Sequence, residues 1–78
     1  MVINHIREVR KEKNLLQKDL ACGIQSDSMT ISRYETGDRE PTLEMALRLS
    51  AFLSVPLEEL FHLETKPMPY TEVMKHDS

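Results

Sequence analysis

The chain has 78 residues, of which 40% are hydrophobic and 29% are charged, and its formal net charge is −3. This composition predicts one small globular domain and excludes a largely disordered chain. No apolar run approaches the ~20 residues of a membrane span, and no signal-peptide pattern opens the sequence. A single cysteine, Cys22, excludes an internal disulfide and a cysteine-based zinc site. We therefore expect a cytoplasmic protein without a membrane partner.

The negative charge is unevenly distributed. Residues 1–39 contain seven basic and six acidic residues, whereas residues 40–78 contain three basic and seven acidic ones. Non-specific DNA affinity comes largely from Lys and Arg that neutralise phosphates, so the net charge argues against nucleic-acid binding. If DNA is the ligand, the acidic half should point away from it and the affinity of one subunit should be modest.

Two short helices are predicted first. Over residues 2–13, apolar residues such as Ile6 and Val9 recur at helical spacing. Asn14, which tolerates a left-handed conformation, is a suitable place for this helix to end. A second helix is predicted over residues 17–24. The polar break that follows, and the helix after it, have the layout of a helix-turn-helix.

Capping residues then define the next two helices. Asp27 is the predicted N-cap of a third helix at 28–36, and Gly37 supplies the left-handed residue that ends it. Thr42 is the predicted N-cap of a fourth helix at 43–53. Its predicted inward face is broad and comprises Leu43, Ala46, Leu47, Leu49, Ser50 and Leu53.

The end of the chain divides into a short helix and a tail. Pro56 begins a predicted fifth helix at 57–63. Pro67 and Pro69 exclude a helix around themselves, which predicts a non-helical tail at 64–78. The sequence thus predicts an all-α fold, with a helix-turn-helix DNA-binding domain at 1–63.

Two segments carry a family resemblance, LLQKDLA and TISRYETGDREPTLEMALRLSAFLSVPLEELF. Together they resemble the phage-repressor or XRE type of helix-turn-helix protein over roughly residues 3–63. The resemblance implies a five-helix, lambda-repressor-like domain of prophage or bacterial origin. Such proteins are usually homodimers that bind palindromic operators in double-stranded DNA and regulate transcription, most often as repressors. They are not enzymes and need no cofactor.

The resemblance implies a recognition helix at about 28–36. Arg33 is the strongest candidate for reading a base, because a guanidinium can bond bidentately to guanine O6 and N7. Met29 can make only apolar contact, for example with a thymine methyl group. Gln17 at the start of the second helix would bind a phosphate, as would Thr36 and Arg39. The full expected set is Gln17, Ser28, Met29, Thr30, Ser32, Arg33, Thr36 and Arg39.

The resemblance also implies two sets of structural contacts. Two subunits are expected to pair through the C-terminal portion, with the tail as a further candidate segment. The expected dimer contacts are Phe52, Leu57, Leu60 and Phe61. Arg10 and Glu35 are expected to form an ion pair that links the first helix to the third.

Three residues depart from the family pattern. Leu16 stands where Ser or Thr usually caps the second helix, which forfeits about 1 kcal/mol. Gln25 and Ser54 stand where Gly is usual after the second and fourth helices, and a residue other than Gly is strained in a left-handed conformation. Either Gly23 and Ser26 reshape the first turn, or the domain is less stable than its relatives.

Other functions are also considered. One alternative is an antitoxin-like interaction module that uses its tail to bind a toxin or other protein and binds DNA only secondarily. The histidines His5, His62 and His76 have no partner at i, i+4, so no metal site is expected. No phosphate-binding loop, nucleophile motif or paired catalytic carboxylates indicate an enzyme.

Overall fold

The computed structural model describes residues 2–65 and 67–71, and within them five helices are closed by a two-stranded ribbon. In chain order the elements are β1 (Val2–Asn4), α1 (Ile6–Glu12), α2 (Gln17–Gly23), α3 (Ser28–Thr36), α4 (Leu43–Leu53), α5 (Leu57–Leu60) and β2 (Phe61–Leu63). The strands pair antiparallel, with Ile3 opposite His62, and so join the two ends of the domain. None of the described helices has the length and apolar character needed to cross a membrane.

The predicted first and fifth helices are each too long, because part of each forms a strand. Val2–Asn4 is β1, and the Asn4 side chain marks the change of direction: its Oδ1 accepts from the Ile6 N–H at 3.4 Å and its Nδ2 donates to the Tyr34 carbonyl at 2.9 Å. The fifth helix ends after four residues, since Phe61 is extended and enters β2. Each strand is stabilised by the other, which lies at the opposite end of the sequence.

The hydrophobic core lies between the helices. Its fully buried side chains are Ile6, Leu20, Ile24, Ile31, Leu49, Leu53 and Leu60. The predicted inward face of α4 is wrong at Leu43 and Leu47, which are 71% and 52% exposed. Ala46, Leu49 and Leu53 form the buried stripe instead. Because α4 is apolar on more than one face, its sequence pattern did not identify the single face that the core covers.

A left-handed residue follows each of the helices α1 to α4, as predicted for Asn14 and Gly37. The φ angles are 59° at Asn14, 60° at Gln25, 81° at Gly37 and 58° at Ser54. At the end of α2, the Gln25 N–H donates to the Cys22 carbonyl at 3.2 Å and the Ser26 N–H donates to the Ala21 carbonyl at 2.7 Å. These bonds satisfy carbonyls that the helix leaves free, although Gln25 adopts a conformation that favours glycine.

The tail is described only in part. Residues 64, 65 and 67–71 are exposed, and the backbone turns helical at Tyr70 and Thr71, just after the second proline. The remainder of the predicted tail, residues 66 and 72–78, lies outside the described residues.

Candidate nucleic-acid interface

The recognition helix α3 has the predicted bounds, and its caps account for them. The Asp27 Oδ1 accepts from the Thr30 N–H at 2.8 Å, which satisfies one of the free donors at the start of the helix. The same backbone hydrogen bond lowers the pKa of Asp27 below its ordinary value. At the other end, Gly37 adopts the left-handed conformation and the chain leaves the helix. Both ends of α3 are therefore fixed by local interactions.

Two faces of α3 differ sharply in burial. Ile31 and Tyr34 are buried against the core, at 0% and 2% exposure. The opposite face contains the exposed side chains of Ser28, Met29, Arg33 and Thr36, with Thr30 and Ser32 half-buried at its edges. Six of the eight predicted DNA-contacting residues thus lie on one helix that presents a polar face to solvent.

Arg33 and Met29 are the most prominent side chains on this face. Arg33 is exposed and forms no ion pair with an acidic residue in the part of the chain that the structure describes. Its guanidinium therefore has donors free for an acceptor outside the chain. Met29 is 64% exposed, one turn before Arg33, although it is apolar. The pair offers a bidentate donor beside an apolar contact, which suits a guanine and a thymine methyl in a major groove.

Gln17 has a structural partner that the sequence did not indicate. Its Nε2 donates to Glu35 Oε1 at 3.1 Å, and its side chain is half-buried. One of its two amide hydrogens is therefore used inside the protein, and the other remains a donor for a phosphate. The contact holds the start of α2 against the end of α3.

The predicted pair of Arg10 and Glu35 is confirmed and is the centre of this network. Arg10 Nε donates to Glu35 Oε2 at 2.7 Å and Nη2 donates to Oε1 at 3.1 Å, while Nη1 donates to the Leu15 carbonyl at 2.9 Å. The two side chains are only 10% and 4% exposed. Hydrogen bonding to Glu35 raises the pKa of Arg10 above its ordinary value. Three helices, α1, α2 and α3, are joined through one carboxylate.

The start of α2 lacks the side-chain hydroxyl that usually caps a helix. Leu16 is the N-cap, is 57% exposed and has no side-chain group that can accept from the helix. In compensation, Asp19 Oδ2 accepts from the Leu16 N–H at 2.7 Å, which is one half of a capping box. The stability lost because Leu16 lacks a capping hydroxyl is therefore only partly recovered by Asp19.

Thr36 is the last residue of α3, and Arg39 lies in the loop that follows. The Thr36 Oγ1 donates to the Arg33 carbonyl at 3.2 Å, so its proton is already used within the helix. The Arg39 N–H donates to the same carbonyl at 3.2 Å, and its side chain is exposed. Of the two, Arg39 has the chemistry of a phosphate contact.

Sequence reasoning overlooked Arg48 as a support for the helix-turn-helix. Its Nη1 donates to the Ile24 carbonyl at 3.1 Å, and its Nη2 donates to Glu44 Oε2 at 2.6 Å. The guanidinium of Arg48 on α4 thus binds the carbonyl of Ile24, the C-cap of α2, where a positive charge is favourable. The contact joins residues 24 positions apart, so no local sequence pattern predicts it.

The predicted dimer residues occupy different settings. Leu60 is 0% exposed in the core of its own chain and has no surface for a partner. Leu57 and Phe61 line an open, mostly apolar groove of about 240 Å³. Phe52 is 40% exposed and its ring lies over Gly23, so close that a Cβ at that position would overlap it. Phe52 is therefore partly used within the fold.

With this geometry established, comparison with known proteins identifies the family. The sequence profile of the helix-turn-helix family matches residues 6–60, which span α1 to α5. The chain belongs to the XRE-type helix-turn-helix family. This family comprises DNA-binding transcriptional regulators, and enzymatic activity is not among its functions.

Two relatives are similar to this chain over about 60 residues each. The transcriptional repressor RstR of the cryptic phage CTXphi, from Vibrio cholerae, is 38% identical over 60 residues, which cover 77% of this chain and 54% of the repressor. The chain therefore spans about half the length of that repressor. The HTH-type transcriptional regulator MJ0272 of Methanocaldococcus jannaschii, itself uncharacterised, is 33% identical over 61 residues, covering 78% of this chain and 92% of that protein.

Solved structures confirm the fold. A proposed DNA-binding protein from Bacteroides fragilis superposes with a TM-score of 0.74 at 29% identity, covering 80% of this chain and all of that one. A transcriptional regulator from Listeria innocua superposes with a TM-score of 0.65 at 18% identity, covering 91% of this chain and 71% of that one. The predicted five-helix class is confirmed, with the small ribbon as an addition.

Proposed function

We propose that this protein is a transcriptional repressor that binds a palindromic operator as a homodimer, with α3 in the major groove. The observation that carries the proposal is the outward face of α3, where Ser28, Met29 and Arg33 are exposed on a helix fixed at both ends. The Vibrio cholerae relative is a transcriptional repressor, which supports repression as the direction of regulation.

The proposed roles follow from the chemistry of each side chain. Arg33 bonds to a guanine, and Met29 packs against a thymine methyl. Ser28, Thr30 and Ser32 supply further hydrogen bonds around them. Gln17 and Arg39 donate to phosphates, whereas the Thr36 hydroxyl, whose proton is used within α3, is not a phosphate donor. Because this surface has few cations, one subunit binds weakly and two are required for a stable complex.

Selection of bound fragments from genomic DNA tests the reading role of Arg33. The Arg33→Ala protein should lose a guanine preference at one position of each half-site, with discrimination falling by about 1–3 kcal/mol. Arg7→Ala is the matched control, since Arg7 is an exposed arginine on α1. An unchanged sequence preference in Arg33→Ala would remove Arg33 from the proposed base contacts.

The proposed dimer surface is the apolar groove between the ribbon and α4. Val2, Leu43, Leu57 and Phe61 line it, and Leu43 is 71% exposed. Leu47, one turn further along α4, is 52% exposed. Large apolar side chains that remain in water on one face are characteristic of an interface, and a second copy would cover them. This assignment replaces Leu60 with Leu43 and Leu47.

Sedimentation velocity tests the dimer. The wild-type chain should sediment as a dimer, whereas Leu43→Glu should shift it to the monomer because a charge would be buried in the interface. Leu16→Glu is the control, because Leu16 is also exposed and apolar but lies outside the groove. A wild-type monomer at high concentration, or a dimer that survives Leu43→Glu, would refute this surface.

The antitoxin-like alternative stays a prediction. It loses support if residues 64–78 are ordered against their own domain or a second copy, and gains support if they are disordered in the isolated protein. Residues 66 and 72–78 of that tail lie outside the described residues. A toxin or other protein partner is therefore not assigned a surface.

A further inference from the structure

The fold brings together two histidines that are far apart in the sequence. His5 Nε2 and His62 Nδ1 are 2.9 Å apart, across 57 residues of chain. The two rings are nearly parallel, at 17°, with their centroids 4.9 Å apart. His5 lies just after β1 and His62 lies within β2, so the pair spans the ribbon that joins the two ends of the domain.

The third member of the cluster is Glu8, whose Oε2 is 3.0 Å from His5 Nδ1. Because a carboxylate only accepts, the hydrogen of this bond belongs to His5 Nδ1. A carboxylate that holds the far nitrogen of an imidazole is the usual second partner of a metal-binding histidine, because it fixes the tautomer and the orientation of the ring. It leaves Nε2 directed at His62.

A single proton lies between the two facing nitrogens, and a metal cation can replace it. Metal–imidazole bonds are ~2.0–2.1 Å long, so two such ligands at right angles are separated by about 2.9 Å. The observed 2.9 Å is a hydrogen-bond distance, and it is short enough for both nitrogens to reach neighbouring positions around one cation, as in the tetragonal geometry of Cu²⁺ or Ni²⁺. His62 is exposed, and its ring can turn to direct the lone pair of Nδ1 at the cation while its proton moves to Nε2.

The surroundings favour a cation. The open groove beside His5 is lined by three carboxylates, those of Glu8, Glu12 and Glu59, against one ammonium group, that of Lys13. No group of three His, Cys, Asp or Glu side chains suited to a metal occurs among residues 2–65 and 67–71. The site therefore has two protein ligands, and water completes the coordination.

We propose that His5 and His62 bind one late first-row transition-metal cation, Cu²⁺ most tightly, with Glu8 orienting His5. Binding fastens β1 to β2 and so raises the stability of the fold, since the ligands come together only in the folded chain. None of the residues assigned to DNA belongs to this site, so the proposal stands independently of the proposed function.

Calorimetric titration of the full, tag-free chain with Cu²⁺, Ni²⁺, Zn²⁺ and Mg²⁺ tests the site. One Cu²⁺ should bind per chain, Ni²⁺ and Zn²⁺ more weakly, and Mg²⁺ not at all. His62→Ala should weaken Cu²⁺ binding at least ~10-fold, and Glu8→Gln should weaken it by about 10–100-fold. His76→Ala is the matched control and should leave the affinity unchanged.

The proposal would be overturned if His62→Ala bound Cu²⁺ as tightly as wild type. It would also be overturned if His76→Ala lost Cu²⁺ binding. Circular dichroism of each metal-free variant shows whether it folds. If His62→Ala does not fold, the wild-type chain decides the question by NMR. Sub-stoichiometric Cu²⁺ should broaden the ring protons of His5 and His62 together and before those of His76, and the reverse order would refute the site.

Discussion

The reading helix α3 and the ribbon of β1 and β2 differ in how the sequence encodes them. The ends of α3 depend on neighbours within a few residues, such as the Asp27 cap and the left-handed Gly37. The ribbon depends on Val2 meeting Leu63 from the other end of the domain. The helix α3, which is proposed to face DNA, is thus specified locally, whereas the ribbon is specified by long-range contacts.

The network around Glu35 joins α3 to α1 and α2, and breaking it should have the largest effect on stability. Glu35→Ala leaves the guanidinium of Arg10 buried without its partner, which should lower the free energy of unfolding by about 3–5 kcal/mol. Urea denaturation measures the loss. Glu44→Ala is the control, because Glu44 forms an exposed pair with Arg48 that is worth about 0.5 kcal/mol. Equal losses in the two variants would contradict the central position of Glu35.

The next largest effect is expected where Gly23 of α2 packs against Phe52 of α4. Gly23→Ala places a methyl group inside the Phe52 ring, so the ring must move. Overpacking of this kind lowers stability by about 1–3 kcal/mol, although alanine regains part of this through its helix propensity. Thermal unfolding measures the net loss, and Cys22→Ala on the same helix is the control. A gain in stability for Gly23→Ala would show that Phe52 does not hold this position.

The turn between α2 and α3 should be improved by glycine. Gln25 has a φ of 60°, so Gln25→Gly relieves left-handed strain and should raise the free energy of unfolding by about 1 kcal/mol. Ser54→Gly should act similarly after α4. Asn14→Gly should gain less, since Asn tolerates this conformation. Chemical denaturation of the three variants gives the ranking, and equal gains at Gln25 and Asn14 would contradict the strain argument.

The smallest expected effect concerns the charge of the Asp27 cap. Its pKa is lowered in the folded state by the hydrogen bond from Thr30, so its stabilising effect is present above the unfolded pKa and is lost as pH falls through the folded pKa. Asp27→Asn keeps a capping oxygen but removes the charge. The variant should be less stable than wild type at neutral pH, and the difference should shrink on acidification. A difference that grows on acidification would reverse the sign of this linkage.

Local signals explain which parts of the fold could be predicted. The Asp27 and Thr42 caps gave α3 and α4 their correct bounds, and Asn14 was correctly expected to be left-handed. For Gln25 the sequence left two alternatives open, and the structure shows the left-handed one. The ribbon was missed because residues 2–9 also fit a helical repeat. The exposure of Leu43 was missed because α4 is apolar on more than one face.

In the candidate sites too, features set by local sequence could be predicted and those set by long-range contacts could not. The outward face of α3 was predictable, since Ile31 and Tyr34 fix which side is buried. The bond between Gln17 and Glu35 and the approach of His5 to His62 could not be predicted, because each joins residues distant in sequence. Helical spacing alone had excluded a metal site that the folded chain makes possible.

An NMR titration of the protein with its selected operator DNA tests the central claim most directly. The largest amide shift changes should occur at Ser28, Met29 and Arg33 on α3, with smaller changes at Gln17 and Arg39. Leu43 and Leu47 should change little once the dimer has formed. The largest changes on α4 and the ribbon, with α3 unaffected, would contradict the assignment of α3 as the surface that reads DNA.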